Sequence, residues 1–185
     1  MLKKYTGLFI SVFFLVFFMT GTVAAQNKYM GADKCKMCHK KPSQGEQYKI
    51  WKNSAHARAY ETLGTAKAKK YAVERGIDDP QKSDKCLKCH VTAYNVDKKY
   101  LGKKYKKTDG VACESCHGAG EKYYKKKTMK KLFAKKIKPE SVGLTIPDEK
   151  VCLRCHNNES PGFKGFDYKK YYEKIKHPIP DKKKK

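Results

Sequence analysis

The sequence predicts a mainly α-helical protein with extensive loops and an interior that apolar side chains alone do not fill. Segments with helical periodicity recur, whereas the alternating pattern of strands is nearly absent. Hydrophobic residues make up 39% of the 185 residues and charged residues 33%, which is too little apolar material for a conventional core. Eight cysteines and an aromatic content of 12% argue against disorder. We therefore expect something other than side chains to form much of the core.

The N-terminus has the three parts of a secretory signal peptide. Lys3 and Lys4 precede an apolar run over residues 7–19, and Val23-Ala24-Ala25 supplies small residues at a cleavage point. We predict a signal peptide over residues 1–25, a single domain over residues 26–185 and export to the periplasm. The alternative is an uncleaved N-terminal membrane anchor, because the uncharged stretch is marginally long enough to span a bilayer.

Three segments of the domain have helical patterns. Asn53-Ser54 provides a cap for a helix over residues 55–72, which is rich in alanine, lysine and glutamate. A second, very basic helix is predicted over residues 121–136. A third is predicted over residues 166–177, where tyrosines share one stripe and the following Pro178 ends the helix.

All eight cysteines fall in four copies of the pattern Cys-x-x-Cys-His, which we number one to four in chain order. Positions i, i+3 and i+4 of a helical turn share a face, so two thiols can bond the vinyl groups on one porphyrin edge while the histidine ligates the iron. The spacing is therefore typical of c-type haem attachment. The predicted attachment residues are Cys35 and Cys38, Cys86 and Cys89, Cys113 and Cys116, and Cys152 and Cys155. Asp33, Asp84 and Asp148 precede three of the motifs and are predicted to cap their helices.

Other cysteine chemistries explain the pattern less well. Zinc ribbons, thioredoxin-like redox sites and disulfide frameworks use paired cysteines, but none of them needs a histidine after every second cysteine. Only 6 of the 185 residues are histidines, so four such neighbours do not arise by chance. We predict four covalently bound haem c groups that form most of the core, and no structural disulfide. Motifs two and three are closest in sequence and are predicted to hold a stacked pair.

The number of histidines limits how the irons are ligated. Each motif supplies one axial histidine, and these are His39, His90, His117 and His156. Only His56 and His177 remain, and we predict that both are iron ligands. At most two haems therefore have two histidine ligands within one chain. The other irons need a methionine, a lysine, water, a histidine of another subunit or an open site, and Met129 is the better methionine candidate.

The charge balance predicts an anionic partner. Lysine and arginine number 43 against 18 aspartates and glutamates, which gives a formal net charge of +25. Export makes nucleic acid an improbable target. We predict redox partner proteins with acidic docking surfaces, which meet the lysines between Lys122 and Lys138.

Several of these segments resemble the tetrahaem cytochrome c-554 family, whose members are electron carriers of ammonia-oxidising bacteria. Motif one with the following Trp51-Lys52-Asn53-Ser54-Ala55-His56, motif two within Asp84–Val91 and motif three within Gly110–Gly118 carry the resemblance. It covers roughly residues 31–120 and is looser through motif four and the C-terminal tail. The Trp-x-x-Ser-x-His element is its most specific part.

This resemblance implies a mainly helical fold with stacked haem pairs and a set of axial ligands. It implies that His56 ligates the iron opposite His117, and that His177 ligates the iron opposite His156. It also implies a five-coordinate iron at His90.

The ligand of the motif-one iron departs from the family. Family members have a histidine after motif three that completes this haem, but residues 121–129 hold none here. The sixth ligand opposite His39 is therefore left open between Met129, a lysine and an open site.

The function that these features favour is electron transfer between redox partners through closely packed haems. Family members pass electrons toward a membrane cytochrome, so the resemblance implies a membrane-associated cytochrome as one kind of partner. No paired carboxylates and no Ser/His/Asp grouping stand out as a separate catalytic site, which favours a carrier over an enzyme. The alternative is a reductase that binds a nitrogen oxide at an open haem on His90. A third interpretation is a polymerising subunit.

Overall fold

The computed structural model describes residues 26–180, and this part of the chain is mainly helical, as predicted. Within residues 26–180 there are no strands, only an isolated parallel bridge between Tyr29 and Leu101. The predicted signal peptide lies outside the described residues. Among the described helices, none combines the length and the apolar character needed to cross a bilayer.

The helices are short and are joined by turns and loops. The α-helices are α1 (Ala32–His39), α2 (Gln47–Lys52), α3 (Ala59–Thr62), α4 (Ala66–Val73), α5 (Asp84–His90), α6 (Cys113–His117), α7 (Lys126–Phe133), α8 (Glu149–Leu153) and α9 (Tyr168–Tyr172). Single 3₁₀ turns lie between them at Pro42–Gln44, His56–Arg58, Lys98–Tyr100, Lys107–Asp109, Gly120–Lys122 and Pro139–Val142.

The helix predicted over residues 55–72 is divided into three pieces. The Thr65 side chain accepts a hydrogen bond from the backbone N–H of Ala68, so that a new helix, α4, begins after Thr65. The Ser54 hydroxyl donates back to the carbonyl of Trp51, and Asn53 ends α2, so neither residue caps the predicted helix. Local side-chain hydrogen bonds therefore override the alanine-rich helical propensity of this stretch.

The other sequence-predicted helices and caps are partly correct. The helix predicted over residues 121–136 is α7, and the one over residues 166–177 is α9, but both are shorter than predicted. Asp148 caps α8 by accepting from the N–H of Val151. Asp33 and Asp84 lie inside the first turns of α1 and α5. Their negative charges interact favourably with the positive ends of the helix dipoles, but neither side chain caps its helix.

Two small clusters of buried apolar side chains stand in place of a single core. The first contains Ala32, Trp51, Ala57 and Ala112, and the second contains Leu63, Leu87 and Val91. The first packs against Cys113 of motif three, and the second packs against Cys86 of motif two. The buried apolar side chains are thus small groups placed beside the motifs, as the composition predicted.

Residues 110–111 bring the backbone of His56 against the start of α6. Gly110 has a φ of +64°, and a Cβ at this position would lie 2.7 Å from the carbonyl oxygen of His56. That carbonyl accepts a hydrogen bond of 3.0 Å from the N–H of Val111. The indole of Trp51 donates to the carbonyl of Val111 at 2.9 Å. Only glycine permits this approach, which fixes where His56 enters the centre of the molecule.

Candidate haem-binding centres

Each Cys-x-x-Cys-His motif lies on or at the end of a short helix. Motifs one, two and three fall within α1, α5 and α6, where the helical repeat places both cysteines and the histidine on one face. Motif four begins in α8 and continues as a turn, in which the N–H of His156 donates to the carbonyl of Cys152 at 3.0 Å. The local geometry needed for attachment at one porphyrin edge is therefore present four times.

Three of the motif histidines have their rings oriented by a hydrogen bond from Nδ1. The acceptors are an amide oxygen for one ring and backbone carbonyls for the other two. The pairs are His39 with Gln47 Oε1 at 3.1 Å, His90 with the carbonyl of Ala59 at 2.7 Å, and His117 with the carbonyl of Thr145 at 3.0 Å. With Nδ1 protonated and engaged, the lone pair that remains is on Nε2, as an iron ligand requires. The donor set thus fits the haem that the motif predicts.

His156 is oriented by an aromatic stack in place of a hydrogen bond. Its ring lies 4.7 Å from that of Phe166 at an interplanar angle of 20°, and Tyr171 stacks on Phe166 in turn. A cavity of about 300 Å³ lies beside Cys155 and His156, and Phe163, Phe166 and Tyr171 line it. An aromatic lining of this kind fits the flat apolar face of a porphyrin.

The two remaining histidines each face a motif histidine. The rings of His56 and His156 have centroids 5.9 Å apart, and the rings of His117 and His177 are also 5.9 Å apart. A metal–nitrogen bond is about 2 Å long and a ring nitrogen lies about 1 Å from the ring centre, so imidazoles on opposite sides of one metal atom have centroids about 6 Å apart. Both pairs therefore have the spacing that suits one iron between them.

This pairing differs from the one that the family resemblance implied. The resemblance paired His56 with His117 and His177 with His156, whereas the structure exchanges the two partners. The reason is the path of the chain. The backbone of His56 is bonded near motif three, but its side chain points toward motif four, and the C-terminal segment brings His177 to motif three.

Partial burial keeps these imidazoles in the neutral form that binds metals. Loss of hydration lowers the pKa of His56, His117, His156 and His177. Each facing pair adds to the effect, because a proton on His156 lowers the pKa of His56 and a proton on His117 lowers that of His177. Neutral rings do not compete with iron for the nitrogen lone pair.

The thiol contacts join motif one to motif three and motif two to motif four, whereas the sequence predicted a stacked haem pair on motifs two and three. The thiol of Cys35 donates a hydrogen bond to the sulfur of Cys113, which raises the pKa of Cys35, so motifs one and three are in contact at their first cysteines. Burial raises the pKa of Cys155 to about 12, with a further contribution from the neighbouring Cys89 of motif two. Sequence separation did not predict these contacts, because the bridge between Tyr29 and Leu101 ties the segment between motifs two and three to the N-terminal segment that leads into motif one.

Motif three contacts the other three motifs or the residues beside them. Besides its contact with motif one, its Ser115 hydroxyl lies 2.7 Å from that of Thr92, two residues after motif two. The guanidinium of Arg154 in motif four donates to the carbonyl of Ser115 at 2.5 Å. All four motifs are therefore held around α6.

Several residues that support the site were not found from the sequence. Gln47, Thr145 and Phe166 orient motif histidines, and Glu114 anchors the segment before motif one. Each of these residues either lies far in sequence from the group that it contacts or belongs to a residue type that occurs in many other roles. Only the family element that contains His56 gave a specific sequence signal.

The role of Met129 as an iron ligand stays a prediction. Met129 is half-buried on α7. The two facing ring pairs use four of the six histidines, and His39 lies near enough to His117 and His177 for a proton on it to lower the pKa of both. No cluster of three or more histidine, cysteine, aspartate or glutamate side chains that could hold a metal ion exists among residues 26–180.

Short helices that present repeated Cys-x-x-Cys-His motifs with oriented imidazoles are the arrangement on which c-type cytochromes attach haem. Residues 34–118 match the family described as cytochrome c554 and c-prime. Over this segment the chain is similar to members of that family. It is similar to cytochrome c-554 of Nitrosomonas europaea, with 34% identity over 163 residues, which cover 78% of this chain. The chain spans 64% of the length of that relative. No solved structure matches.

Proposed function

We propose that this chain is a tetrahaem c-type cytochrome that carries electrons between redox partners. The observation that carries the proposal is the set of four Cys-x-x-Cys-His motifs gathered around α6, three of them with Nδ1 already hydrogen-bonded. Haem supplies a one-electron couple whose potential is tuned by its axial ligands and its burial. The protein's own part is to hold four such groups at close range and in fixed orientation.

The proposed axial ligands follow the facing rings. His56 and His156 would hold one iron, and His117 and His177 would hold another. The iron at His90 would be five-coordinate, and the iron at His39 would take Met129, a lysine or an open site. The contacts between cysteines support stacked haem pairs on motifs one and three and on motifs two and four.

The proposed location is the periplasm, after removal of residues 1–25 as a signal peptide. The proposed partners are proteins with acidic docking surfaces, with a membrane-associated cytochrome among them. The net charge of +25 supports such partners, because complementary charge accelerates encounter. Nucleic acid is not a proposed partner.

Haem content and ligation test the proposal directly. The purified, matured protein should give four haems per chain in a pyridine haemochrome assay and four one-electron steps in a potentiometric titration. Electron paramagnetic resonance should show two low-spin bis-histidine haems together with haems of a different type. Fewer than four haems, or four identical low-spin haems in a monomer, would refute the proposed ligand set.

A further inference from the structure

The side chain of Gln47 contacts motif one and also the C-terminal segment that carries His177. It is the first residue of α2, half-buried, and it follows motif one after a 3₁₀ turn. Its amide oxygen accepts the hydrogen bond from Nδ1 of His39 at 3.1 Å. Its amide nitrogen donates to the carbonyl of Pro178 at 2.9 Å and also to the carbonyl of Gln44. One side chain therefore joins motif one to the residue that follows His177.

The arrangement of acceptors fixes which way the Gln47 amide points. Two backbone carbonyls, those of Gln44 and Pro178, face one end of the amide, and a carbonyl accepts hydrogen bonds but cannot donate them. The NH₂ group must occupy that end, so the oxygen must face His39. The Nδ1 of His39 must then carry the proton, which leaves Nε2 as the free ligand atom. Gln47 thus selects the metal-binding tautomer of His39.

The contact with Pro178 holds the C-terminal segment in place. Proline has no N–H, so its carbonyl is the backbone group that can bond to α2. Gly45 makes room for it, because a Cβ at position 45 would lie 2.7 Å from that carbonyl oxygen. His177 is the neighbouring residue, and its ring lies 5.9 Å from that of His117. The position of this second imidazole therefore depends on the hydrogen bond from Gln47.

We propose that Gln47 is a positioning residue that couples two haem centres, orienting His39 at motif one and holding His177 opposite His117 at motif three. The proposal rests on the proposed function, in which both histidines ligate iron. The hydrogen bond from Nδ1 would raise the basicity of His39 and so favour ferric iron there, and the hydrogen bond to Pro178 would keep His177 in place as a ligand of the second iron.

Two variants of Gln47 separate a positioning role from a structural one. Gln47→Leu removes both contacts, so one reduction potential should shift to a more positive value. Gln47→Glu keeps an acceptor for His39 and makes it anionic, so the same potential should shift to a more negative value. In each case the reduced-to-oxidised ratio of that haem at a fixed potential should change by about tenfold, which is 59 mV for one electron. Both variants should also weaken one low-spin signal, because neither can donate to Pro178.

The matched control is Gln44→Leu, which makes the same chemical change at an exposed neighbour whose backbone carbonyl, and not its side chain, accepts the hydrogen bond from Gln47. It should leave the potentials and the spin states unchanged. Shifts of the two Gln47 variants in the same direction, or no shift in a fully haem-loaded protein, would overturn the proposal. If Gln47→Leu matures poorly, Gln47→Glu decides alone, since only a negative shift supports the proposal. Failure of the proposed function would appear separately, as fewer than four haems in the wild-type protein.

Discussion

At the scale of single residues, Glu114 is a buried side chain held by several hydrogen bonds. It lies between the two cysteines of motif three and is only 4% exposed. Its carboxylate accepts three backbone N–H groups, from Met30 at 2.7 Å, Gly31 at 2.8 Å and Gly120 at 2.7 Å. It therefore ties the segment that leads into motif one to motif three. This buried carboxylate with three hydrogen-bond donors links two distant segments, and no sequence pattern predicted it.

Replacement of Glu114 should destabilise the fold strongly. Glu114→Ala leaves three N–H groups without an acceptor, and the expected loss is about 3 kcal/mol or more of unfolding free energy. Thermal unfolding followed by circular dichroism measures it. Glu61→Ala, at an exposed carboxylate, is the control and should change the stability by less than about 0.5 kcal/mol. Equal effects of the two substitutions would contradict the role assigned to Glu114.

The cost of losing Glu114 should also depend on pH. Burial raises the pKa of Glu114 above the ordinary 4.5, although its three N–H donors act in the opposite direction. A carboxyl whose pKa is raised by folding contributes most at a pH below its unfolded pKa, and loses that contribution as the pH rises through the folded pKa. The stability difference between the wild type and Glu114→Ala should therefore shrink as the pH rises above 4.5. A difference that grows over this range would show that the hydrogen bonds outweigh the burial.

At the scale of elements, the facing imidazoles indicate which motif each of the two additional histidines accompanies. The structure pairs His56 with motif four and His177 with motif three, the reverse of what the family resemblance implied. Sequence could count these ligands but could not assign them. The assignment depends on the direction of a side chain in a 3₁₀ turn and on where the C-terminal segment docks.

The pairing of His56 with His156 predicts that the effect of removing His56 depends on whether the motif-four haem is present. In a background with Cys152→Ala and Cys155→Ala, which removes the motif-four haem, His56 has no iron to ligate. Adding His56→Ala should then leave the number of low-spin haems unchanged, whereas adding His177→Ala should remove one more low-spin haem. Electron paramagnetic resonance on the three-haem variants gives both counts. The opposite outcome, with His177→Ala silent and His56→Ala costly, would restore the pairing implied by the resemblance.

At the scale of the whole molecule, the sequence predicted the chemistry better than the path of the chain. The motifs are local patterns, so a reader of the sequence finds them without knowing the fold, and the mainly helical class follows from the missing strand pattern. The break at Thr65 and the meeting of motifs one and three depend on single hydrogen bonds and on long-range contacts. Spacing along the chain contains no information about either. The roles of Glu114 and Gln47 were not predicted for the same reason, because each has a hydrogen-bond partner in a distant segment.

The distribution of charge leads to a prediction about partners. Between residues 122 and 138 the chain carries many lysines and no acidic residue before Glu140, and Lys126, Lys127, Lys130 and Lys131 of α7 are exposed. If an acidic partner docks on this segment, its electron-transfer rate should fall about tenfold or more between low and high salt, because the Debye length shrinks from about 30 Å to about 3 Å.

Charge reversal on α7 separates a specific docking surface from the overall positive field. Lys127→Glu, Lys130→Glu and Lys131→Glu together should slow reduction by an acidic flavoprotein donor at low salt and flatten the salt dependence. The same reversal at Lys67, Lys69 and Lys70 in and around α4 changes the net charge equally and serves as the matched control. Stopped-flow reduction measures both. Equal slowing by the two triple variants would mean that the long-range field of the whole molecule, and not α7, guides the encounter, whereas selective slowing by the α7 variant places the docking surface there.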